Sequence, residues 1–184
     1  MSEVPPVLLI RDATAEDMAH VARIYAAYVL GSRATFEEQP PAIHELQARH
    51  AAIRAAALPY LLAEVDGECI AYAYAGPYRL RPGYRYTVED SVYVAQSWCG
   101  RGVGRALLQA LIERCERGAW RQMIAVIGDS ANDGSIALHR RCGFEPVGTL
   151  RSVGYKLGQW VDTVLMQRTL GTGDRTDPAQ APPQ

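Results

Sequence analysis
The sequence predicts a single α/β (α+β) domain around a mixed central β-sheet, and three observations predict it. Strand and helix signals alternate along residues 1–170 with no internal repeat and no low-complexity linker. An Asp66-Gly67 pair between two apolar runs marks an antiparallel hairpin. A glycine-rich turn, Cys99-Gly100-Arg101-Gly102-Val103-Gly104, joins a strand to a helix in mid-chain. The 184 residues are one domain's worth at roughly 100–200 residues per domain, and 48% hydrophobic against 21% charged residues supply a core.

Residues 7–11 form a short apolar strand. Thr14-Ala15-Glu16-Asp17 then supplies a capping-box start, in which the Thr14 hydroxyl satisfies an orphan helix N–H. Met18, Val21, Ala22, Tyr25 and Val29 recur at helical spacing, so the helix runs to about residue 30, where Gly31 stops it. Pro40-Pro41 opens a second helix over 42–57, whose good helix formers and weak apolar stripe place it on the surface. Strands at 60–65 and 68–78 flank the Asp-Gly turn, whose residues accept positive φ angles. A strand at 87–94 leads through the glycine turn into a helix over 102–117, with Val103, Ala106, Leu107, Ala110 and Leu111 on one face. A buried strand at 122–127, a short helix at 135–141 and a closing strand at 160–169 complete the domain. Residues 171–184 have almost nothing to bury and read as a disordered tail.

Nineteen Lys plus Arg against twenty Asp plus Glu leave a net charge of -1, which removes the electrostatic argument for a nucleic-acid or acidic-membrane partner. Lys156 is the sole lysine, so an arginine cluster in this chain partly reflects composition. No run approaches the roughly 18 apolar residues of a membrane span, and the first residues lack the basic start of a secretory signal. A cytoplasmic protein is the expectation. Cys69, Cys99, Cys115 and Cys142 make no C-x-x-C pair, so free thiols and no metal are expected.

The glycine turn carries the most chemistry. Glycines let the backbone approach a ligand, and free N–H groups at the positive end of a helix suit a pyrophosphate. A P-loop would end in Gly-Lys-Ser/Thr, whereas Gly104 is followed by Arg105 and Ala106. A Rossmann loop would follow the first strand with an acidic residue about twenty positions on, where this chain has Ile124 in an apolar strand. Both familiar nucleotide folds are therefore excluded, while a turn that binds nothing stays open.

Beyond the turn, Val92-Tyr93-Val94, Ile124-Ala125-Val126-Ile127, and Asn132 followed by Ala137-Leu138-His139-Arg140-Arg141-Cys142-Gly143-Phe144 resemble the core motifs of the GNAT acyltransferase superfamily. Ala34-Thr35-Phe36-Glu37, Gly76-Pro77-Tyr78-Arg79, the strand from Thr87 through Glu89 to Val94, and Val153-Gly154-Tyr155-Lys156-Leu157-Gly158-Gln159-Trp160 are similar to its phosphinothricin and methionine sulfoximine N-acetyltransferase branch. The resemblance implies two splayed sheet strands flanked by helices, with acetyl-CoA as co-substrate. Its pantetheine arm would lie along the backbone of Val92, Tyr93 and Val94, and its pyrophosphate on Cys99, Gly100, Arg101, Gly102, Val103 and Gly104. Asn132 and Arg141 complete the implied cofactor set, with helix capping as the other role for Asn132. Cys99 departs from the pattern, which usually has Gln or Arg there.

Acetyl transfer to an amine needs a base for the ammonium proton and a proton or charge for the departing thiolate. The resemblance makes Glu89 the base; otherwise it is an ion-paired strand carboxylate. It implies that His139 assists the leaving sulfur, whereas a helical histidine is often structural. His20, His44 and His50 receive no chemistry. Arg79 and Arg81, with Arg85 on a strand side the sequence does not settle, can hold an acceptor's anionic group through paired hydrogen bonds. Phe36, with Glu37, can close the acceptor pocket, and Tyr84 and Tyr155 can line it, although such aromatics are often core. The implied function is acetylation of a small amino-acid-like amine such as phosphinothricin, methionine sulfoximine or methionine sulfone, by a homodimer. Another small amine or a protein N-terminus as acceptor, or an acyl-CoA sensor without turnover, are the alternatives.

Overall fold
The computed structural model describes residues 7–178. One seven-stranded sheet carries helices on both faces. In chain order the strands are β1 (Leu9–Asp12), β2 (Tyr60–Val65), β3 (Glu68–Pro77), β4 (Thr87–Val94), β5 (Gln122–Gly128), β6 (Glu145–Lys156) and β7 (Gln159–Thr169). The helices are α1 (Met18–Gly31), α2 (Ile43–Ala55), α3 (Val103–Glu116) and α4 (Asp133–Arg141). The sheet runs β1-β2-β3-β4-β5-β7-β6, and every neighbouring pair is antiparallel except β4 and β5.

Strand alternation divides the core in two. Leu61, Ala63, Val88, Met123 and Ala125 face α3, where Leu107, Leu108 and Leu111 are fully buried. Each such side chain contributes about 1.5–3 kcal/mol by leaving water. On the other face Tyr60, Leu62 and Tyr72 meet Met18, Val21, Ile24 and Tyr25 of α1 and Leu46 of α2. A bulge between Ala63 and Glu64 shifts the β2–β3 register. The hairpin turn has φ of 51° at Asp66 and 78° at Gly67, the conformation that an Asp-Gly pair favours.

Four expectations change. Thr14 does not cap α1: its N–H and hydroxyl both donate to Asp17, at 2.8 and 3.0 Å, because that carboxylate is anchored by the Arg11 guanidinium at 2.7 and 2.8 Å. The Arg11 contact, reinforced by Thr14, holds the Asp17 carboxyl well below the usual range. The strand β6 had no counterpart in the sequence reading. Pro146, Gly148 and Gly154 interrupt it and two register shifts destroy its alternation, which an exposed edge strand tolerates. His50 is buried, not on an open face, with Nε2 at 3.1 Å from the Ala13 carbonyl oxygen. Finally, residues 171–178 do not run free: Gly173 is buried in a short turn, its N–H bonded to the Leu170 carbonyl at 2.9 Å. The rest of the expected tail, 179–184, lies outside the described residues. Cys69, Cys115 and Cys142 are buried free thiols and Cys99 is an exposed one. No helix among the described residues is long and apolar enough to cross a membrane, and no cluster of three or more His, Cys, Asp or Glu is placed to hold a metal.

Candidate active site
The sheet opens at one point. β4 and β5 pair in parallel from Thr87 opposite Gln122 to Asp90 opposite Ala125, and no further. Beyond it, residues 91–94 of β4 pair with β3 alone and residues 126–128 of β5 with β7 alone. The two facing edges therefore carry backbone N–H and C=O groups without strand partners, and such groups call for a ligand or water. A cleft of about 620 Å³ fills the fork, lined by Ser91, Val92, Tyr93 and Val94 on one wall and Val126, Ile127 and Gly128 on the other. A cavity of this size and lining suits a small-molecule ligand.

The α3 N-terminus forms one end of the cleft. Gly100 and Gly102 have φ of 76° and 85°, a region that costs other residues about 1–2 kcal/mol, so glycine is required for the turn. The helix begins with no side-chain cap, which leaves its first amides free for an anion. Gly100, Gly102 and Gly104 line the cleft with Cys99. The Cys99 sulfur lies 3.8 Å from the Val94 carbonyl oxygen and 3.7 Å from that of Ala95, pinned against the backbone without touching the helix amides. Two candidates differ from the rest. Val103 is buried in the core, so only its amide belongs to the helix start, and Arg101 stacks on Trp98 at 5.1 Å outside the cleft lining. Arg141 lines the cleft, and Arg105 joins it. Arg105 escaped the sequence reading although a signal existed: a cation in the first turn opposes the helix dipole unless an anion is present.

Of the strand residues, Tyr93 offers the cleft its backbone, since its ring stacks on Tyr72 at 5.1 Å on the opposite face. The Val94 carbonyl already accepts the Tyr28 hydroxyl at 2.6 Å. Asn132 caps α4: its side-chain oxygen accepts the Ser135 N–H at 3.2 Å and its NH₂ group donates to the Gly128 carbonyl at 3.4 Å. It therefore ties α4 to the end of β5 while lining the cleft.

Glu89 lies one residue before the fork, opposite Gly76 on β3 and Ile124 on β5. A Cβ added at Gly76 would meet nothing within 4 Å, so there is open space beside it. Glu89 accepts no hydrogen bond among the described residues. Burial, with the Asp90 charge, pushes its carboxyl up to about 7 against the opposing pull of Arg79. His139 lies across the strand from it. Asp90 points to the opposite face from Glu89, and its Oδ2 is 3.0 Å from His139 Nε2. His139 Nδ1 is 2.8 Å from the Ser135 carbonyl oxygen, and the ring is buried against Phe144. Acceptors at both nitrogens favour the protonated ring. Burial works against that charge, but the hydrogen bond and charge of Asp90 outweigh it and raise the pKa. The structure thus does not bring Glu89 and His139 together on one face. Asp90 is a second residue that sequence reasoning missed, and its Oδ1 is buried without a hydrogen-bond partner among the described residues. The available signal was a carboxylate on a face otherwise made of Val88, Val92 and Val94, since a buried charge demands a partner.

On the Glu89 side, the Arg79 guanidinium packs over the rings of Tyr78 and Tyr84 at 5.2 and 5.9 Å. Arg81 is exposed just before the turn Pro82–Tyr84, whereas Arg85 is drawn onto Tyr86 at 4.7 Å and donates to the Pro82 carbonyl. Phe36 packs on Gly154, whose missing Cβ makes room for the ring. Tyr155 is exposed against Trp160 on the β6–β7 hairpin and does not line the cleft.

Comparison with known proteins agrees with this geometry. Residues 10–165 match the family model described as acetyltransferase (GNAT) domain. The chain is 53% identical over 172 residues to a phosphinothricin N-acetyltransferase of Alcaligenes faecalis, covering 94% of this chain and 86% of that one. It is 40% identical over 175 residues to an L-methionine sulfoximine/L-methionine sulfone acetyltransferase of Pseudomonas paraeruginosa, covering 95% and 98%. The crystal structure of a GNAT superfamily phosphinothricin acetyltransferase from Sinorhizobium meliloti, in complex with acetyl-CoA, superposes with a TM-score of 0.91 at 44% identity, covering 95% and 94%. The forked sheet, the uncapped glycine turn and these likenesses place the chain in the GNAT acetyltransferase family.

Proposed function
We propose that this protein transfers an acetyl group from acetyl-CoA to the amino group of a small amino-acid-like acceptor of the phosphinothricin, methionine sulfoximine or methionine sulfone type. The observation that carries the reading is Glu89, a carboxylate beside the fork that accepts no hydrogen bond among the described residues and that burial pushes up to about 7. The residues present fit acetyl-CoA: the free edges of β4 and β5 for its amide arm, the α3 amides for its pyrophosphate, and Arg105 and Arg141 for its phosphate charge. When bound, acetyl-CoA supplies an activated thioester carbonyl.

The rest of the chemistry belongs to the chain. Arg79 and Arg81 hold the acceptor's anionic group, and Phe36 and Tyr84 bound its pocket. Glu89 removes a proton from the acceptor's ammonium and leaves a nucleophilic amine, a task suited to a base whose pKa lies near working pH. The freed amine would then attack the thioester carbon; as the C–N bond forms the C–S bond breaks, and the second nitrogen proton leaves with the sulfur as CoA thiol, while His139, engaged by Asp90 and the Ser135 carbonyl, holds the β4–α4 wall of the site in place. The exposed apolar edge of Leu150, Val153, Tyr155, Leu157 and Trp160 supports a homodimer through the β6–β7 hairpin.

The test is release of CoA thiol with each of the three acceptors, for the native chain and for Glu89→Gln. Turnover with at least one acceptor, lost in the variant while acetyl-CoA still binds, is the expected result. Acetyl-CoA binding with no turnover would overturn the acceptor class, and a fully active Glu89→Gln would overturn the base.

A further inference from the structure
Lys156 is the only lysine of the chain, and it is 3% exposed. Burying an ammonium is costly unless it is answered. Here its Nζ donates to the Thr35 carbonyl oxygen at 2.7 Å, across 121 positions of sequence. Burial lowers its pKa, and the charges of Glu38 and Glu37 oppose that.

Thr35 belongs to a strap, residues 33–37, between α1 and α2. The strap is fastened to both halves of the forked sheet. Toward the β2–β4 half, the Tyr25 hydroxyl meets Thr35 Oγ1 at 2.9 Å on α1, and Glu37 pairs with Arg49 of α2 at 2.6 Å. Toward the other half, Arg33 pairs with Asp129 at 2.5 Å at the end of β5, and the Arg33 carbonyl sits so close to Gly128 that no Cβ would fit there. Phe36 lies on Gly154 of β6, and Lys156 takes the Thr35 carbonyl. Ala34 reaches the cleft lining itself. Burial raises the Tyr74 pKa and the charges of Glu89 and Glu37 add to it, so the acid of this strap and the proposed base flank the same hydroxyl.

We propose that Lys156 is a positioning residue for the acceptor: by holding the Thr35 carbonyl it sets the Thr35–Glu37 strap, and with it the Phe36 ring, as the wall that orients the acceptor amine toward Glu89. This rests on the function proposed above. An ammonium-to-carbonyl bond suits the task better than apolar packing would, because it fixes one backbone atom in place. Acetyl-CoA is bound by the fork and the α3 amides, and the part of the strap that reaches their cleft, Ala34, is held by the Arg33–Asp129 pair rather than by Lys156.

The experiment is steady-state kinetics of native, Lys156→Met and Lys156→Arg chains, varying acceptor and acetyl-CoA separately. In Lys156→Met the acceptor KM rises about tenfold or more, the weight of one hydrogen bond from a charged group, while the acetyl-CoA KM holds. Lys156→Arg, which keeps a cationic donor, recovers part of the loss. A second readout uses the native chain: with ¹⁵N-lysine it has one side-chain ammonium signal, which acceptor shifts and acetyl-CoA alone does not. An unchanged acceptor KM in Lys156→Met, or an ammonium signal indifferent to acceptor, overturns the proposal. If Lys156→Met does not fold, the arginine variant and the native signal decide. A native chain that turns over no acceptor overturns the functional reading instead, whereas native turnover matched by Lys156→Met overturns this inference alone.

Discussion

Glu89 is a carboxyl kept partly out of water with no hydrogen bond to hold its charge, and its behaviour with pH follows from that. As the proposed base it would work when ionised, so kcat/KM is expected to rise with pH through about 7. Glu89→Gln is expected to lower kcat/KM by about 10²–10⁴-fold and to abolish that limb, measured as a pH–rate profile. The same shift affects stability with the opposite sense. Between the ordinary carboxyl value of 4.5 and about 7, the folded chain keeps a proton that the unfolded chain has released, so this group subtracts stability as pH rises through that window. Thermal melts should therefore show Glu89→Gln closest to the native chain below the window, near pH 4, and more stable than it at pH 8. Asp90 and His139 form the complementary case. Removing one partner of a buried pair leaves an uncompensated group, which costs about 3–5 kcal/mol, so His139→Leu should be strongly destabilised in urea titrations. Asp90→Leu combined with His139→Leu should lose less than His139→Leu alone; a double variant weaker than that single would show that the pair is not the source of the loss.

At the scale of elements, α3 and its glycine turn act together. Gly102 stands at φ of 85° with nothing within 4 Å of an added Cβ, so a substitution there costs backbone strain and not a clash. Gly102→Val is expected to lose at least about 1–2 kcal/mol of stability and to weaken acetyl-CoA binding, read by calorimetry. Arg105→Gln with Arg141→Gln should raise the acetyl-CoA Kd and flatten its dependence on salt, because two cations that act through screened charge are gone. Their melting temperature should stay near native, as Arg141 is exposed and neither is in the core.

At the scale of the molecule, the fork exists because β4 and β5 each keep a different neighbour. β4 stays with β3, β5 turns away with β7, and the α1–α2 strap spans the gap. The β6–β7 edge hairpin leaves a long row of exposed apolar side chains that ends on β7 in Trp160, which is 68% exposed. An edge of this kind invites pairing with a second chain. Sedimentation is expected to find a dimer for the native chain and a monomer for Trp160→Glu; a native monomer would remove the dimer from the proposed function.

By itself the sequence determined the elements with strong local signals: the Asp-Gly hairpin, the periodic helices α1 and α3, the strand from Thr87 to Val94 and the glycine turn after it. Motif resemblance along the same residues also pointed to the family, which the match of residues 10–165 to the acetyltransferase (GNAT) domain bears out. It did not determine β6, where Pro146, Gly148 and Gly154 hide a strand that non-local pairing with β7 enforces. Nor did it place His139, whose two nitrogens are claimed by Asp90 and the Ser135 carbonyl, or Lys156, whose partner lies 121 residues away. Local propensity is written in neighbouring residues, whereas a buried charge is placed by whatever the folded chain brings to it. Only the tertiary structure therefore decided which of the adjacent carboxylates, Glu89, accepts no hydrogen bond among the described residues and which, Asp90, is bound to a histidine.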